Sequence, residues 1–209
     1  MAGLAPERIG VFGGSFDPPH LAHLVLADEA RHQLGLGRVL WVLTPDNPLK
    51  PGDPVAPLQD RIDMLAAAIA GEPAFELSRV DLDRPSPHYS YQTLRLLGED
   101  NPGAQLVFLM GGDSLNDLPR WKHPLEILAA IHGLGVVRRP GAGFDLAALE
   151  EQLPGLSEKV RFVDTPLLEI SASEIRRRAA VGAPIRYFLP KTVFEIIRER
   201  ELYGFRTEP

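Results

Sequence analysis

Cysteine is absent from the 209 residues of this chain, which excludes disulfides, thiolate catalysis and cysteine-based metal sites and fits a reducing compartment. Long apolar runs are absent too. No stretch approaches the roughly 20 residues that a membrane span needs, and the short polar lead from Met1 to Arg8 carries no signal-peptide core. The chain is therefore expected to be soluble and cytoplasmic, with no membrane partner. Positive charge is in deficit: 22 Lys and Arg stand against 28 Asp and Glu, for a formal net charge of −6. That balance argues against nucleic acid as a partner, whose usual footprint is a basic face. An anion site would have to be built locally, from a few placed cations and helix N-termini. A Walker A loop is missing, which removes the usual P-loop kinases and ATPases.

Composition is otherwise that of an ordinary globular protein, 44% hydrophobic and 24% charged, with no sign of disorder. Apolar runs rich in Val, Ile, Leu and Phe recur at Ile9 to Phe12, Val39 to Leu43, Phe75 to Val80, Leu106 to Met110, Leu134 to Val137 and Val160 to Val163. These read as strands. Between most of them, Leu21 to Leu34, Leu58 to Ile69, Tyr91 to Leu97 and Pro124 to Ala130 repeat apolar residues at helical spacing. The alternation predicts a Rossmann-like α/β fold, a doubly wound parallel sheet with helices on both faces. Continuous hydrophobicity in Val107-Phe108-Leu109 suits a strand buried on both sides. One domain is expected over 1–209, with a core at 8–165 and a helical C-terminal part at 166–209. Its last helices would be Ser171 to Val181 and Pro190 to Glu201. Loops fall where Pro and Gly cluster, at Thr44 to Pro57, Arg84 to Pro87, Asn101 to Gly103 and Pro140 to Phe144, and none is long enough to link separate domains.

The most informative stretch follows the first strand: Gly13-Gly14-Ser15-Phe16-Asp17-Pro18-Pro19-His20-Leu21-Ala22-His23. Two glycines would let the backbone turn sharply and approach a ligand, and Pro-Pro suits the first turn of a helix. A Gly-Gly turn alone is only a turn, but two of the six histidines stand beside it at helical spacing. On one helix face their Cβ atoms would lie about 5–6 Å apart, close enough to reach one phosphate together. Zinc is disfavoured, because His-x-x-His has no third ligand nearby. Asp17 reads as the helix N-cap. Ligands of open parallel sheets bind where the winding reverses, so this turn should meet the second glycine turn, Gly111-Gly112-Asp113-Ser114. Neither turn supplies the Gly-x-Gly-x-x-Gly pattern of a dehydrogenase.

With these residues in place, the chain resembles the nucleotidyltransferase superfamily of the histidine-pair type. Within it the closest likeness is to the bacterial nicotinate-nucleotide adenylyltransferase family, from Gly10 to Phe205. The glycine and histidine segment matches that family's signature, with Ser15 where Thr is common and Ala22 where Gly is common. Pro87-His88-Tyr89-Ser90-Tyr91-Gln92-Thr93, Gly112-Asp113-Ser114 with Trp121, Val137-Arg138-Arg139-Pro140-Gly141 and Ile170-Ser171-Ala172-Ser173-Glu174-Ile175-Arg176 are further matches. Asn47-Pro48-Leu49-Lys50 departs from the family's Pro-Pro-His-Lys by keeping the lysine and losing the histidine.

The resemblance implies in-line attack by a mononucleotide phosphate on the α-phosphorus of ATP, with Mg²⁺ accompanying ATP and pyrophosphate leaving. It implies His20, His23, Lys50 and Arg176 as catalytic contacts to phosphate. Gly13, Gly14, Ser15, Phe16, Gly111, Asp113, Arg139, Ile170 and Ser171 would bind ATP, and Ser90, Tyr91 and Trp121 would hold nicotinate mononucleotide, the tryptophan stacking on the pyridine ring. Each has a plainer reading. Lys50 and the Arg138-Arg139 pair could be solvated, Asp113 could cap a helix, Trp121 could pack on Pro119, and Ser171-x-x-Glu174 has the form of a capping box. The alternatives keep the chemistry and change the acceptor to nicotinamide mononucleotide or phosphopantetheine, or keep the fold as a nucleotide-sensing protein without turnover. A class I aminoacyl-tRNA synthetase fragment shares the histidine pair, but the Lys-Met-Ser-Lys-Ser loop is missing. A homo-oligomer is left open.

Overall fold

A computed structural model describes residues 5–46, 56–138 and 143–206. The six apolar runs form strands β1 (Arg8–Gly14), β2 (Arg38–Leu43), β3 (Phe75–Ser78), β4 (Gln105–Gly111), β5 (Gly133–Val137) and β6 (Val160–Val163). All pair in parallel, in the order β3-β2-β1-β4-β5-β6. β1 therefore lies between β2 and β4, and the winding reverses at the β1–β4 junction, where Val11 pairs with Phe108. The two glycine turns leave neighbouring strand ends there, as the sequence predicts for a doubly wound sheet.

The helices are α1 (Leu21–Leu34), α2 (Leu58–Ile69), α3 (Ser90–Asp100), α4 (Gly112–Asp117), α5 (Pro124–Ala130), α6 (Leu146–Gln152), α7 (Leu156–Lys159), α8 (Ala172–Ala180) and α9 (Lys191–Glu199). Strand side chains alternate between two cores. Ile9 and Val11 join Leu94 and Leu97 of α3 and Ile127 of α5 on one face. Phe12 joins Ala27, Ala30 and Leu34 of α1 and Leu65 of α2 on the other. Gly135 allows the close approach of α1 to the sheet, since a Cβ there would lie 2.6 Å from Leu109 Cδ2 and 2.8 Å from Leu34 Cδ1. A third apolar cluster sets α8 and α9 against α2 through Met64, Ile175, Ala179, Val193 and Ile197. It carries the C-terminal helices to the side of the sheet where the first turn emerges.

The strand expected to reach Val80 stops at Ser78, because the next residues fold into a turn in which the Leu82 and Asp83 N–H groups both donate to the Arg79 carbonyl. α8 and α9 each start one residue later than periodicity suggests, as Ser171 and Pro190 are their N-caps. Among the described residues no helix is long and apolar enough to cross a membrane.

Candidate active site

The turn after β1 differs from its sequence reading in three respects. Gly13 and Gly14 are the last residues of the strand rather than the bend, and the left-handed residue is Phe16, at φ 46°. The glycines contribute room. A Cβ on Gly13 would meet nothing within 4 Å, leaving open space above the strand end, whereas one on Gly14 would press at 3.1 Å on the Phe16 ring. A left-handed non-glycine residue costs about 1–2 kcal/mol. Phe16 is held there by ring contacts at 5.5 Å to Phe12, 5.3 Å to Trp41 and 5.2 Å to His23.

Asp17 is not the helix cap. His20 is the N-cap of α1, so Pro18 and Pro19 precede the helix and do not form its first turn. Asp17 points inward and is 2% exposed. Its carboxylate accepts from the Tyr203 hydroxyl at 2.7 Å and the Ala56 N–H at 3.2 Å. Those buried donors outcompete the helix N–H groups for it.

The histidines do come together. Their rings stack with centroids 3.6 Å apart and planes 20° from parallel. The His20 N–H donates to His23 Nδ1 at 3.2 Å, so His23 fills the place that Glu or Gln takes in a capping box. An imidazole accepting at Nδ1 carries its proton on Nε2 when neutral, which leaves a donor at the ring's far edge. His20 is buried and His23 half-buried.

Two helix starts carry further residues that the sequence singles out. Gly111 is the N-cap of α4, and Asp113 sits exposed in its first turn, so Asp113 is not the cap. Ser171 caps α8, its hydroxyl accepting from the Glu174 N–H at 3.3 Å. The second arm of the expected capping box is replaced: Glu174 is instead held by Arg177 at 2.7 and 2.8 Å. That bidentate pair holds the Glu174 carboxyl below its ordinary pKa. Of the three consecutive arginines only Arg176 faces the turn after β1, donating to the Asp17 carbonyl at 2.7 Å and lying 3.7 Å from its carboxylate. Ile170 packs on the C-terminal cluster. Lys50 and Arg139 lie outside the described residues.

A cleft between α3 and the face of the sheet that carries Val11 and Phe108 is lined by Gly13, Thr44, His88, Ser90, Thr93 and Phe108. Ser90 opens α3, whose N-cap is Tyr89. Tyr91 contacts the His123 ring at 4.6 Å, and Trp121 stands edge-on to Phe108 at 6.2 Å. An aromatic wall thus flanks a helix N-terminus.

Three supports of this cleft escaped the sequence reading. Buried Arg61 donates to the Ser15 and Thr44 carbonyls at 3.0 and 2.9 Å and to that of Pro45 at 2.6 Å, tying the first turn to the loop after β2. Asp81 pairs with Arg84 at 2.8 Å and accepts from Thr93 Oγ1 at 2.8 Å, fixing the start of α3. Buried His88 bonds through Nδ1 to Asp46 and places Nε2 3.1 Å from the Arg84 carbonyl. The Ser86 hydroxyl, 2.5 Å away, and then His88 hold the Asp46 carboxyl below its ordinary pKa. A signal for Arg61 exists in the sequence: it stands on the apolar stripe of α2, three residues before Met64.

Residues 11–178 match the cytidylyltransferase-like family. The chain is 44% identical over 197 residues to a Thermomicrobium roseum protein named "Probable nicotinate-nucleotide adenylyltransferase", which covers 94% of this chain and 92% of that one. It is also 44% identical over 196 residues to a protein of the same name from Roseiflexus castenholzii, with 94% and 98% covered. Among solved structures it is similar to the Plasmodium falciparum nicotinic acid mononucleotide adenylyltransferase complexed with NaAD. The TM-score there is 0.78 at 21% identity, over 97% of this chain and 100% of that one.

Proposed function

The chain belongs to the cytidylyltransferase-like family, and we propose that it transfers the adenylyl group of ATP to nicotinate mononucleotide, giving nicotinate adenine dinucleotide and pyrophosphate in NAD biosynthesis. The observation that carries this reading is the stacked His20–His23 pair, which closely follows β1, the strand at which the winding of the sheet reverses. The relatives' shared name supplies the acceptor.

In this reaction an oxygen of the mononucleotide phosphate attacks the α-phosphorus of ATP in line. The new P–O bond forms as the bond to the bridging oxygen breaks, and the electron pair leaves with pyrophosphate. A phosphate monoester has a second pKa of about 6 and is already an anion at neutral pH, so a general base adds little. Catalysis is then positioning and stabilisation of charge on the phosphoryl oxygens. His23 would donate from Nε2–H and His20 from its own ring, each aimed at an oxygen of the triphosphate. Arg176 and the capped start of α8 would add positive potential, and Lys50 and Arg139 are proposed in the same role. Gly13, Gly14, Ser15, Phe16, Gly111, Asp113, Ile170 and Ser171 would cradle the rest of ATP.

Mg²⁺ would travel with ATP, held through phosphates and water and offsetting their charge. On the acceptor side Trp121 would stack on the pyridine ring. The N–H groups of Ser90 and Tyr91 at the start of α3 would take its carboxylate, a choice that favours the acid over the amide because the helix end prefers an anion.

The experiment is pyrophosphate release with Mg²⁺-ATP and nicotinate mononucleotide, nicotinamide mononucleotide or phosphopantetheine in parallel, with His20→Ala as control. Turnover with the acid, little with the amide, and a loss of about 10²–10³ in the control is expected. Preference for another acceptor would overturn the substrate, and no turnover in folded, ATP-binding protein would overturn the enzyme.

A further inference from the structure

We infer that His88 is a positioning residue for the acceptor nucleotide: clasped by Asp46 from the loop after β2, it sets the start of α3, where the Ser90 and Tyr91 N–H groups would take the acceptor's carboxylate. His88 stands immediately before Tyr89, the N-cap of α3. The run that leads to it is not held by burial, since Pro85, Ser86 and Pro87 are exposed and His88, 7% exposed, is the first buried residue after them. Side-chain bonds therefore fix where the helix begins. The Asp46 carboxylate grips the run at two points, accepting from the Ser86 hydroxyl on Oδ2 at 2.5 Å and bonding His88 Nδ1 through Oδ1. The other ring nitrogen, Nε2, lies 3.1 Å from the Arg84 carbonyl.

These bonds differ in what they join. The Arg84 guanidinium ties the segment to itself, reaching Asp81 at 2.8 Å, the Pro87 carbonyl and Gln92 Oε1 at 3.1 Å each and Thr93 Oγ1 at 3.2 Å, all within nine residues. Asp46 lies 40 and 42 residues from Ser86 and His88, on a different loop. It is a fixed post, because Arg61 donates to the carbonyls of Thr44 and Pro45 directly before it. The local bonds keep the shape of the segment, and the bond to Asp46 sets its position relative to the end of β2. His88 and Ser90 line the cleft together with Gly13 and Thr44, so a shift of the helix start moves one wall of the cleft against the other. Tyr89 places no side-chain acceptor on the first N–H groups of α3, so no cap of its own competes with a carboxylate there. Asp46 is exposed, so its bond to His88 contributes little to stability, and its effect should fall on acceptor binding.

The proposal rests on the adenylyl-transfer reading and concerns its acceptor side. Asparagine carries a side-chain N–H near the place of Nδ1 and glutamine near that of Nε2, so His88→Asn can keep the bond to Asp46 and His88→Gln cannot. Asp46→Ala removes the clasp from its exposed side. In steady-state assays per folded molecule, His88→Gln and Asp46→Ala should each raise KM for nicotinate mononucleotide about tenfold, with KM for ATP within about twofold of wild type. His88→Asn should recover most of that loss. Adding Asp46→Ala to His88→Gln should cost less than about twofold further, since both remove one interaction. Equal effects of asparagine and glutamine, an unchanged acceptor KM in Asp46→Ala, or parallel rises in both KM values would overturn it. A wild-type preference for another acceptor would refute the substrate, while the same variants assayed with that acceptor still decide the role of His88. If folded wild type binds nicotinate mononucleotide without turnover, the enzyme reading alone falls and calorimetric affinities of the variants decide the role in the same way; no binding at all would overturn both.

Discussion

Replacing Arg61 by Met should destabilise the fold by about 2–3 kcal/mol, and the figure follows from what the guanidinium holds. Arg61 is 1% exposed on α2, and its two terminal nitrogens reach the carbonyls of Ser15, Thr44 and Pro45. Methionine matches the length of the stem and donates nothing. A buried acceptor left without a donor costs about 1–3 kcal/mol. The three residues concerned are half-buried, so water can reach part of each carbonyl and the low end applies, about 3 kcal/mol in total. Removing a charge from an apolar setting returns a fraction of that. In a chain of this size each kcal/mol moves Tm by about 2–4 °C, so Arg61→Met should melt about 4–12 °C below wild type. Differential scanning calorimetry measures this, with urea unfolding as the independent check. Arg61→Lys should recover only part of the loss, because a point charge lacks the planar fork that serves three carbonyls at once. A Tm within about 2 °C of wild type would refute the reasoning, showing that desolvation of the charge cancels what its hydrogen bonds contribute.

Two further expectations concern the cleft. The Asp46 carboxyl titrates below its ordinary value of 3.8, so its contribution is complete above about pH 4 and is lost as pH falls through the lower, folded value. Asp46 is largely exposed, so screening keeps the effect small: Asp46→Asn should melt about 2 °C below wild type at pH 7 and converge with it in strong acid, read as Tm against pH. Trp121→Ala should raise KM for nicotinate mononucleotide about tenfold or more, the worth of one stacked ring, while KM for ATP stays within about twofold; equal changes in both constants in a steady-state assay would assign the tryptophan to packing alone.

The sheet was legible because its signals are local and repeated. The continuous run from Leu106 to Met110 is buried throughout, as a central strand requires, and the helices Leu21–Leu34, Leu58–Ile69 and Pro124–Ala130 have the bounds their periodicity suggests. The neighbouring ends of β1 and β4 follow from the glycine turns that leave them. The helices α4, α6 and α7 were not read from the sequence, since four to seven residues give a period few turns in which to show; α5, equally short, was legible with the help of Pro124 at its first position. The histidine pair was legible as a pair, though its two members face one another as N-cap and N3 rather than as two positions inside the helix. The bend at Phe16 was misplaced onto the glycines because glycine is the usual bearer of a left-handed φ. A phenylalanine takes that conformation here only through ring contacts to Phe12 on β1, Trp41 on β2 and His23 on α1.

What the sequence concealed about the site shares one cause. Asp-Pro-Pro-His offers two residues that could begin a helix, and local rules favour the aspartate. The choice is made instead by donors 39, 159 and 186 positions away, on Ala56, Arg176 and Tyr203, which only the fold brings within reach. Once those donors surround it, Asp17 is worth more inside than at the helix end, and the cap passes to His20, whose N–H then fixes the ring of His23. The inward turn of one carboxylate and the orientation of the His23 ring are therefore two results of a single competition. The same logic makes Arg61 readable in retrospect. A charged residue on the apolar stripe of a helix cannot be satisfied locally, so its presence there signals distant carbonyls that need it. In this chain those carbonyls belong to the two loops that border the cleft.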